Sequence, residues 1–175
     1  MTLDDLSKEQ LKELVGIYAR NIYALDGVWF QSVEQINGMD AAMELDRNAW
    51  RRFTVTEALR IKNFLQLTDH CGLEGLKKAL SFRFSALGNP KVEFSETDNS
   101  LIYRVVDCRV QTARQKKGME LHPCKSVGFI EHALFAKTID PRIGCETISC
   151  YPDITTPDCA CAWKFTLASP AEEAQ

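Results

Sequence analysis

Apolar residues in the first part of the chain recur every three or four positions, the spacing of one face of an α-helix. Ser7, with Gln10 three residues later, matches a capping box and predicts where this helix begins. The apolar series comprises Leu11, Leu14, Val15, Tyr18, Ile22, Leu25, Trp29, Val33 and Ile36. Asn37 and Gly38 predict its end, because glycine readily adopts the left-handed backbone that closes a helix.

The helical spacing resumes at Ala42 and continues to Leu65. β-Branched residues cluster at 53–56, and we expect a break there because such residues lose side-chain freedom in a helix. A third, shorter helix is predicted from Gly72 to about Phe84. The N-terminal half of the chain is therefore predicted to be helical.

Beyond Pro90 the spacing changes to two, which is typical of strands with one buried face. Strands are predicted at 92–94, 101–111, 143–150 and 159–167, with one helix at 123–138. Helices followed by strands indicate an α+β fold. We expect an N-terminal helical layer packed on a C-terminal antiparallel sheet of about four strands with one crossover helix. Residues 1–167 would form a single domain, and residues 168–175 a flexible tail.

Composition narrows the function classes. The 175 residues carry 21 basic and 24 acidic side chains, so no basic footprint for nucleic acid is present. No apolar run approaches the roughly 20 residues that cross a bilayer, and the acidic start lacks the pattern of a secretory signal. We therefore expect a cytoplasmic protein without membrane or nucleic-acid partners. Its seven cysteines are then expected to be thiols or metal ligands rather than disulfides.

The cysteines mark a candidate site. Cys124 follows Pro123 at a helix start, where the helix dipole stabilises a thiolate. Three further candidates are predicted on strands: Cys108, Cys150 and Cys161. We expect them to converge with Cys124 at one end of the sheet, where His122 would complete a ligand set for zinc or iron. Three interpretations stay open: inert core thiols, a bound metal, or a reactive thiol.

Several charged residues interrupt the apolar pattern. Asp26 and Asp46 each lie near a tryptophan on a predicted helix face, where a carboxyl either forms a salt bridge or acquires a raised pKa suited to acid–base catalysis. On this basis Asp26 is a candidate catalytic residue alongside Cys124. The candidate ligand-binding residues are Trp29, Asp46, Arg109, Arg114, Glu131 and Trp163, with both arginines expected on the second strand and its extension.

Longer motifs in the C-terminal half are more specific. They are DCRVQTAR at 107–114, PCKSVG at 123–128, CYPD at 150–153 and CAWKF at 161–165, together with LDGVWF at 25–30. The chain resembles an uncharacterised prokaryotic family of domain-of-unknown-function proteins near the L-2-amino-thiazoline-4-carboxylic acid hydrolase-like group. It is more distantly similar to vinyl-four-reductase ligand-binding domains. The resemblance implies a pocket between a helical layer and an antiparallel sheet.

Three functions are compatible with these observations. The first is a small-molecule-binding or sensing domain with a cysteine-lined pocket that holds zinc or iron or no cofactor. The second is a hydrolase of a small sulfur- or nitrogen-containing ring, acting on cyclic C–N bonds with Cys124 as nucleophile or metal ligand and Asp26 as acid or base. The third is a structural module that forms a homodimer through a helix face and keeps its cysteines inert.

Overall fold

A computed structural model describes residues 2–168 and places four helices in the N-terminal half. After a short 3-10 turn (Leu3–Asp5), these are α1 (Lys8–Asn37), α2 (Met39–Phe64), α3 (Gly72–Ser81) and α4 (Phe84–Gly88). The Ser7 hydroxyl accepts the backbone N–H of Gln10, and the Gln10 side chain accepts that of Ser7. Gly38 separates α1 from α2 with a φ of 82°. The predicted bounds of the first helix are thereby confirmed.

The break expected inside the second helix is wrong, because α2 runs uninterrupted from Met39 to Phe64. Thr54 is fully buried in this helix, so tertiary packing holds the β-branched segment in place. The Thr56 hydroxyl donates to the carbonyl of Arg52 one turn earlier, a bond that accommodates threonine within a helix. The third predicted helix instead ends at Ser81, and the short α4 follows.

The C-terminal half contributes a sheet of four antiparallel strands. These are β1 (Lys91–Thr97), β2 (Ser100–Asp107), β3 (Ile143–Cys150) and β4 (Cys161–Leu167), in the spatial order β1-β2-β4-β3. Cys161 pairs with Val105 on one side and with Cys150 on the other. The α+β fold expected from the sequence is confirmed, and the predicted flexible tail falls outside the described residues from 169 onward.

The connection from β2 to β3 differs from its prediction. It carries two helices rather than one: α5 (Arg109–Lys116) and α6 (Lys125–Ile139). The strand predicted to continue to residue 111 ends at Asp107, so Arg109 and Arg114 lie on α5. Only two apolar residues occur in α5, too few to show a helical period. Tertiary bonds hold its start instead, since the Arg109 backbone N–H donates to Asn89 Oδ1.

The main core lies where α3 and α6 cover the sheet. Its largest side chains are Trp163, Tyr103, Phe135, Phe165, Leu76 and Ile139, all 1% exposed or less. Gly128 lets α6 approach closely, because a Cβ at this position would lie 2.7 Å from the Trp163 ring. α2 packs along α6, and α1 packs on α2 and α4. No helix within residues 2–168 combines the length and apolar character needed to span a membrane.

Candidate functional site

A cavity of about 490 Å³ separates the helices from one end of the sheet. Helices α1, α2, α5 and α6 and strands β2 and β4 all contribute side chains to its wall. Apolar rings supply part of the wall, namely those of Phe30, Trp50 and Trp163. A space of this size accommodates a small molecule. The remainder of the wall combines small apolar and neutral polar side chains with charged groups and thiols.

Cys124 is the N-cap residue of α6, as its position after Pro123 predicts. Its sulfur lies 3.7 Å from the Cys150 sulfur, and Gln111 Nε2 donates to it over 3.4 Å. The same Gln111 amide donates to the His122 carbonyl and accepts the His122 backbone N–H. Gln111 therefore fixes the short segment that carries both His122 and Cys124.

His122 lies beside Cys124 in the cavity wall and forms an ion pair with α2. Its Nε2 is 3.4 Å from Asp46 Oδ2, and both side chains are more than nine-tenths buried. Its second ring nitrogen, Nδ1, is buried without a hydrogen-bond partner in the described part of the chain. Burial disfavours the charged ring, but Asp46 and Cys124 outweigh it and raise the pKa of His122 to about 9.

Cys124 has the opposite shift. A hydrogen bond from the Cys150 thiol and the positive charge of His122 overcome the effect of burial and lower the pKa of Cys124 to about 5. Interaction with Cys124 raises the pKa of Cys150 in turn. Near neutral pH the site therefore holds a thiolate and an imidazolium. We call Cys124, His122 and Asp46 the His122 cluster.

Asp26 faces the same cavity from α1. Burial, followed by the nearby carboxylates of Asp46 and Glu131, raises the pKa of Asp26 to about 6. A salt bridge was one of the two expectations for Asp26. It is not found, since Asp26 has no ion pair or hydrogen bond to another side chain within residues 2–168. Its carboxyl is therefore available to a ligand.

A second group of buried charges lies behind the cavity. The Arg83 guanidinium forms ion pairs with Glu57 at 2.9 Å and with Glu131 at 2.8 Å. Its Nε also donates to Glu57, and its Cζ lies 4.5 Å from the centre of the Phe135 ring. We call Arg83, Glu57 and Glu131 the Arg83 cluster. Of these three residues only Glu131 reaches the cavity wall.

The two predicted arginines have different surroundings. Arg114 is buried, and both arms of its guanidinium bind the Glu34 carboxylate at 2.8 Å, which ties α5 to α1. Arg109 donates through Nε to the Gly88 carbonyl. Its two terminal nitrogens have no partner within residues 2–168, and the side chain lines the cavity. Arg109 is thus the arginine free to bind an anion.

All the predicted site residues but one line the cavity. Besides those described above, they include Cys108, Cys150, Cys161 and Trp163. Trp29 is the exception: it is 66% exposed and does not line this cavity, so its role in ligand binding stays a prediction. Cys108 caps α5 rather than lying within a strand, and burial raises the pKa of its thiol to about 12.

The sequence analysis did not identify two buried residues in or behind the cavity wall, Arg83 and His132. Arg83 lies between two helices and belongs to no periodic pattern, so no local signal marks it. His132 did carry a signal, because it follows Gly128 by four residues and precedes Phe135 by three on the buried face of α6. Its ring stacks on Trp163 with centres 4.4 Å apart. Burial lowers the pKa of His132 to about 3, so this ring is neutral.

The zinc or iron site stays a prediction. Of its five suggested ligands, Cys124 and Cys150 are in contact and Cys161 is the strand partner of Cys150. Within residues 2–168, however, no group of three or more His, Cys, Asp or Glu side chains has an arrangement that could hold a metal ion. The chemistry that this geometry supports is therefore that of the thiolate itself.

A helical layer, an antiparallel sheet and a cavity between them define an α+β protein. The chain belongs to a family of unknown function, DUF6125, whose model matches residues 4–167. No curated protein and no solved structure matches it significantly. The function must therefore be argued from the side chains of the cavity.

Proposed function

We propose that this protein binds a small zwitterionic molecule in the cavity between its helices and its sheet. The observation that carries the proposal is the presence of two opposite charges in the lining of one cavity, each without a partner among the described side chains. Asp26 supplies a carboxyl and Arg109 supplies the end of a guanidinium. A ligand with an amino or amidinium group and a carboxylate would satisfy both.

The cost of burying charge supports this assignment. Asp26 is half-buried, and burial is the largest cause of its raised pKa, so its carboxylate would gain from a cationic partner. Arg114 shows that the fold pairs a cavity arginine where the pairing is structural. Asp26 and Arg109 lack such partners, which favours a role in binding. Phe30 and Trp50 would contact the apolar body of the ligand.

The finer family relationships belong to the same proposal. A pocket between a helical layer and an antiparallel sheet is what the resemblance to vinyl-four-reductase domains implies. A zwitterionic heterocycle is what the resemblance to L-2-amino-thiazoline-4-carboxylic acid hydrolase-like proteins implies. Since the proposed thiolate must stay reduced, we place the protein in the cytoplasm.

Hydrolysis of the bound molecule is the second candidate function. The observation that favours it is the His122 cluster, which joins a low-pKa thiol, a histidine and a carboxylate at the cavity wall. A binding domain needs no such arrangement. The two functions are compatible, because a hydrolase must first bind its substrate.

A thermal-shift screen tests the binding proposal. The probes are linear and cyclic amino acids, each compared with the amine that lacks its carboxylate and the acid that lacks its amine. We expect a zwitterion to raise the melting temperature, and Asp26→Asn or Arg109→Gln to weaken its binding at least tenfold, or about 1.4 kcal/mol. The exposed residues Asp98 and Arg60 provide matched controls, Asp98→Asn and Arg60→Gln. Equal binding of the three probe classes would contradict the proposal.

A further inference from the structure

Three groups that commonly cooperate in covalent catalysis meet at one wall of the cavity. Cys124 begins α6, His122 lies two residues before it, and Asp46 reaches them from α2. The Asp46 carboxylate is paired with His122 Nε2, so it holds the imidazole in position. Thiol, base and orienting carboxylate are the parts of an activated cysteine nucleophile, whatever fold carries them.

We propose that Cys124 is the nucleophile of a hydrolase for small amino-substituted amides and esters, with His122 as proton carrier and Asp46 as the residue that positions His122. This inference rests on the proposed function, because Asp26 would hold the amino group of the acyl compound. The acyl carbon would then face the Cys124 sulfur within the cavity.

The reaction balances with water as the co-reactant. The Cys124 thiolate attacks the acyl carbon, so a C–S bond forms and the bond to the amine or alcohol breaks. His122 gives its proton to that leaving group. The neutral imidazole then takes a proton from water, whose oxygen attacks the thioester carbon. The C–S bond breaks, the acid leaves, and the thiolate and the imidazolium are restored.

Gln111 has the position needed to stabilise the oxygen of the tetrahedral intermediate. One N–H of its side-chain amide donates to the His122 carbonyl, and the amide nitrogen also lies 3.4 Å from the Cys124 sulfur. When negative charge moves from sulfur to the acyl oxygen, the second N–H can follow it. A single donor of this kind is commonly worth about 100-fold or more in rate.

The Arg83 cluster shows that simple burial does not explain this arrangement. Arg83 is enclosed by two carboxylates and a ring, and it does not itself line the cavity. His122, Cys124 and Asp46 all line the cavity, so a bound molecule can reach the whole His122 cluster.

Acylation by p-nitrophenyl acetate tests the proposal. We expect a burst of p-nitrophenolate, one acetyl group on Cys124 by intact mass, and steady turnover afterwards. Cys124→Ala should abolish the burst, and Cys124→Ser should reduce it at least about 100-fold because the hydroxyl is far less ionised. Cys145→Ala is the matched control, since Cys145 lies on β3 outside the cavity wall. Circular dichroism checks that each variant folds.

Asp46→Asn separates positioning from structure. We expect the amplitude of the burst and the KM to persist while steady turnover falls at least about tenfold, because deacylation needs a correctly held base. Acetylation of Cys124→Ala equal to that of the unaltered protein would overturn the assignment. An unaltered protein that shows no acetylation, yet is stabilised by the zwitterionic probes, would overturn the nucleophile and leave the binding proposal intact.

The outer face of α1 carries an independent signal. Seven large apolar side chains, each at least 39% exposed, follow one another at steps of four, three, four, three, four and seven residues: Leu11, Val15, Tyr18, Ile22, Leu25, Trp29 and Ile36. This is the seam spacing of a coiled coil. We call these residues the α1 seam.

We infer that the α1 seam binds a second copy of this chain. One type of seam position holds β-branched Val15, Ile22 and Ile36 together with Trp29, and the other holds Leu11 and Leu25 together with Tyr18. That division favours two-stranded coiled coils. The α1 seam extends from Leu11 to Ile36, about seven helical turns, so pairing would remove a long apolar face from water.

Light scattering on the full chain tests the pairing. At about 50 µM we expect twice the 19.8 kDa chain mass, and a monomer after Ile22→Glu or Leu25→Glu, because a buried unpaired charge is strongly disfavoured. Phe64→Glu is the matched control, since Phe64 is similarly exposed but lies on α2. A monomeric unaltered protein would overturn the inference.

Discussion

The Arg83 cluster and the His122 cluster are both groups of buried charges, yet they differ in whether their members line the cavity. In the Arg83 cluster one cation is enclosed by two carboxylates and an aromatic ring. In the His122 cluster the thiol, the imidazole and the carboxylate all line the cavity. Enclosure away from the cavity indicates a structural role, whereas ionisable groups that line a cavity together indicate binding or chemistry.

The two clusters are connected through Glu131 and helix α6. Glu131 belongs to the Arg83 cluster and reaches the cavity, where its charge and that of Asp46 act on Asp26. Asp26 therefore lies within the electrostatic influence of both. A fold that fixes one cluster rigidly can place the other accurately, because both depend on the packing of α6. Variants in each cluster should accordingly change different observables.

The largest effect should come from the Arg83 cluster. Arg83→Met removes the cation and leaves two buried carboxylates, so we expect the free energy of unfolding to fall by about 3–5 kcal/mol. Urea unfolding followed by circular dichroism measures it. Arg104→Gln removes a more exposed arginine paired with Asp158, and this control should cost less than about 1 kcal/mol. Similar losses in the two variants would contradict a structural Arg83 cluster.

The second effect concerns thiol reactivity. At about pH 5.5 most of a thiol of pKa 5 is ionised, against a few parts in ten thousand for one of pKa 9, although the low-pKa thiolate is intrinsically less nucleophilic. We expect iodoacetamide to alkylate Cys124 about 30-fold faster than a free thiol of pKa 9. The rate should rise through pH 5 and stay level near neutrality. Mass spectrometry of digests identifies the site, and a rate that rises only above pH 8 would refute the thiolate.

Asp26 gives a stability effect of the opposite sign to that of Arg83. Its pKa is about 6 in the folded protein and 3.8 in the reference state, so the folded state binds more protons and stability falls as pH rises from about 4 to 6. Asp26→Asn removes this loss and should stabilise the protein by about 2 kcal/mol at pH 8. Urea unfolding at pH 4 and pH 8 measures the difference. A variant that is less stable at pH 8 would show that Asp26 is paired.

The smallest effect is a shift in the pH at which the Cys124 thiol ionises. Asp46→Asn removes the carboxylate that favours protonated His122, and the thiolate then loses part of its countercharge. We expect the midpoint of the alkylation profile of Cys124 to rise by about one pH unit. Asp153→Asn changes an exposed carboxylate near the same helix and serves as the control. Equal profiles for the two variants would remove Asp46 from the cluster.

Much of the fold was predictable because its signals are local. The capping box at Ser7, the glycine at 38 and the alternation in β4 each depend on a few neighbouring residues. The grouping of Cys124, Cys150 and Cys161 was predictable as well, since strand pairing and a helix start restrict where they lie. Local patterns thus predict that these thiols lie near one another, but they do not give the distances between them.

The failures have a physical cause in common. Helix α5 has few apolar residues and is held by bonds to distant side chains, such as that from Arg109 to Asn89. Arg83 finds both of its carboxylates far along the chain. Trp29 follows the same helical period as core residues, but it is 66% exposed and does not line the cavity. Periodicity reports which residues share a face, not what that face meets.

Pro123 separates His122 from Cys124 by a single residue whose φ is fixed by its ring. The nucleophile and its proton carrier therefore move together as one short, stiff piece of backbone, whereas the carboxylate that orients them belongs to α2. Any slippage between α2 and α6 would withdraw Asp46 while leaving the other two in place. The reactivity of Cys124 therefore depends on how tightly α2 packs against α6.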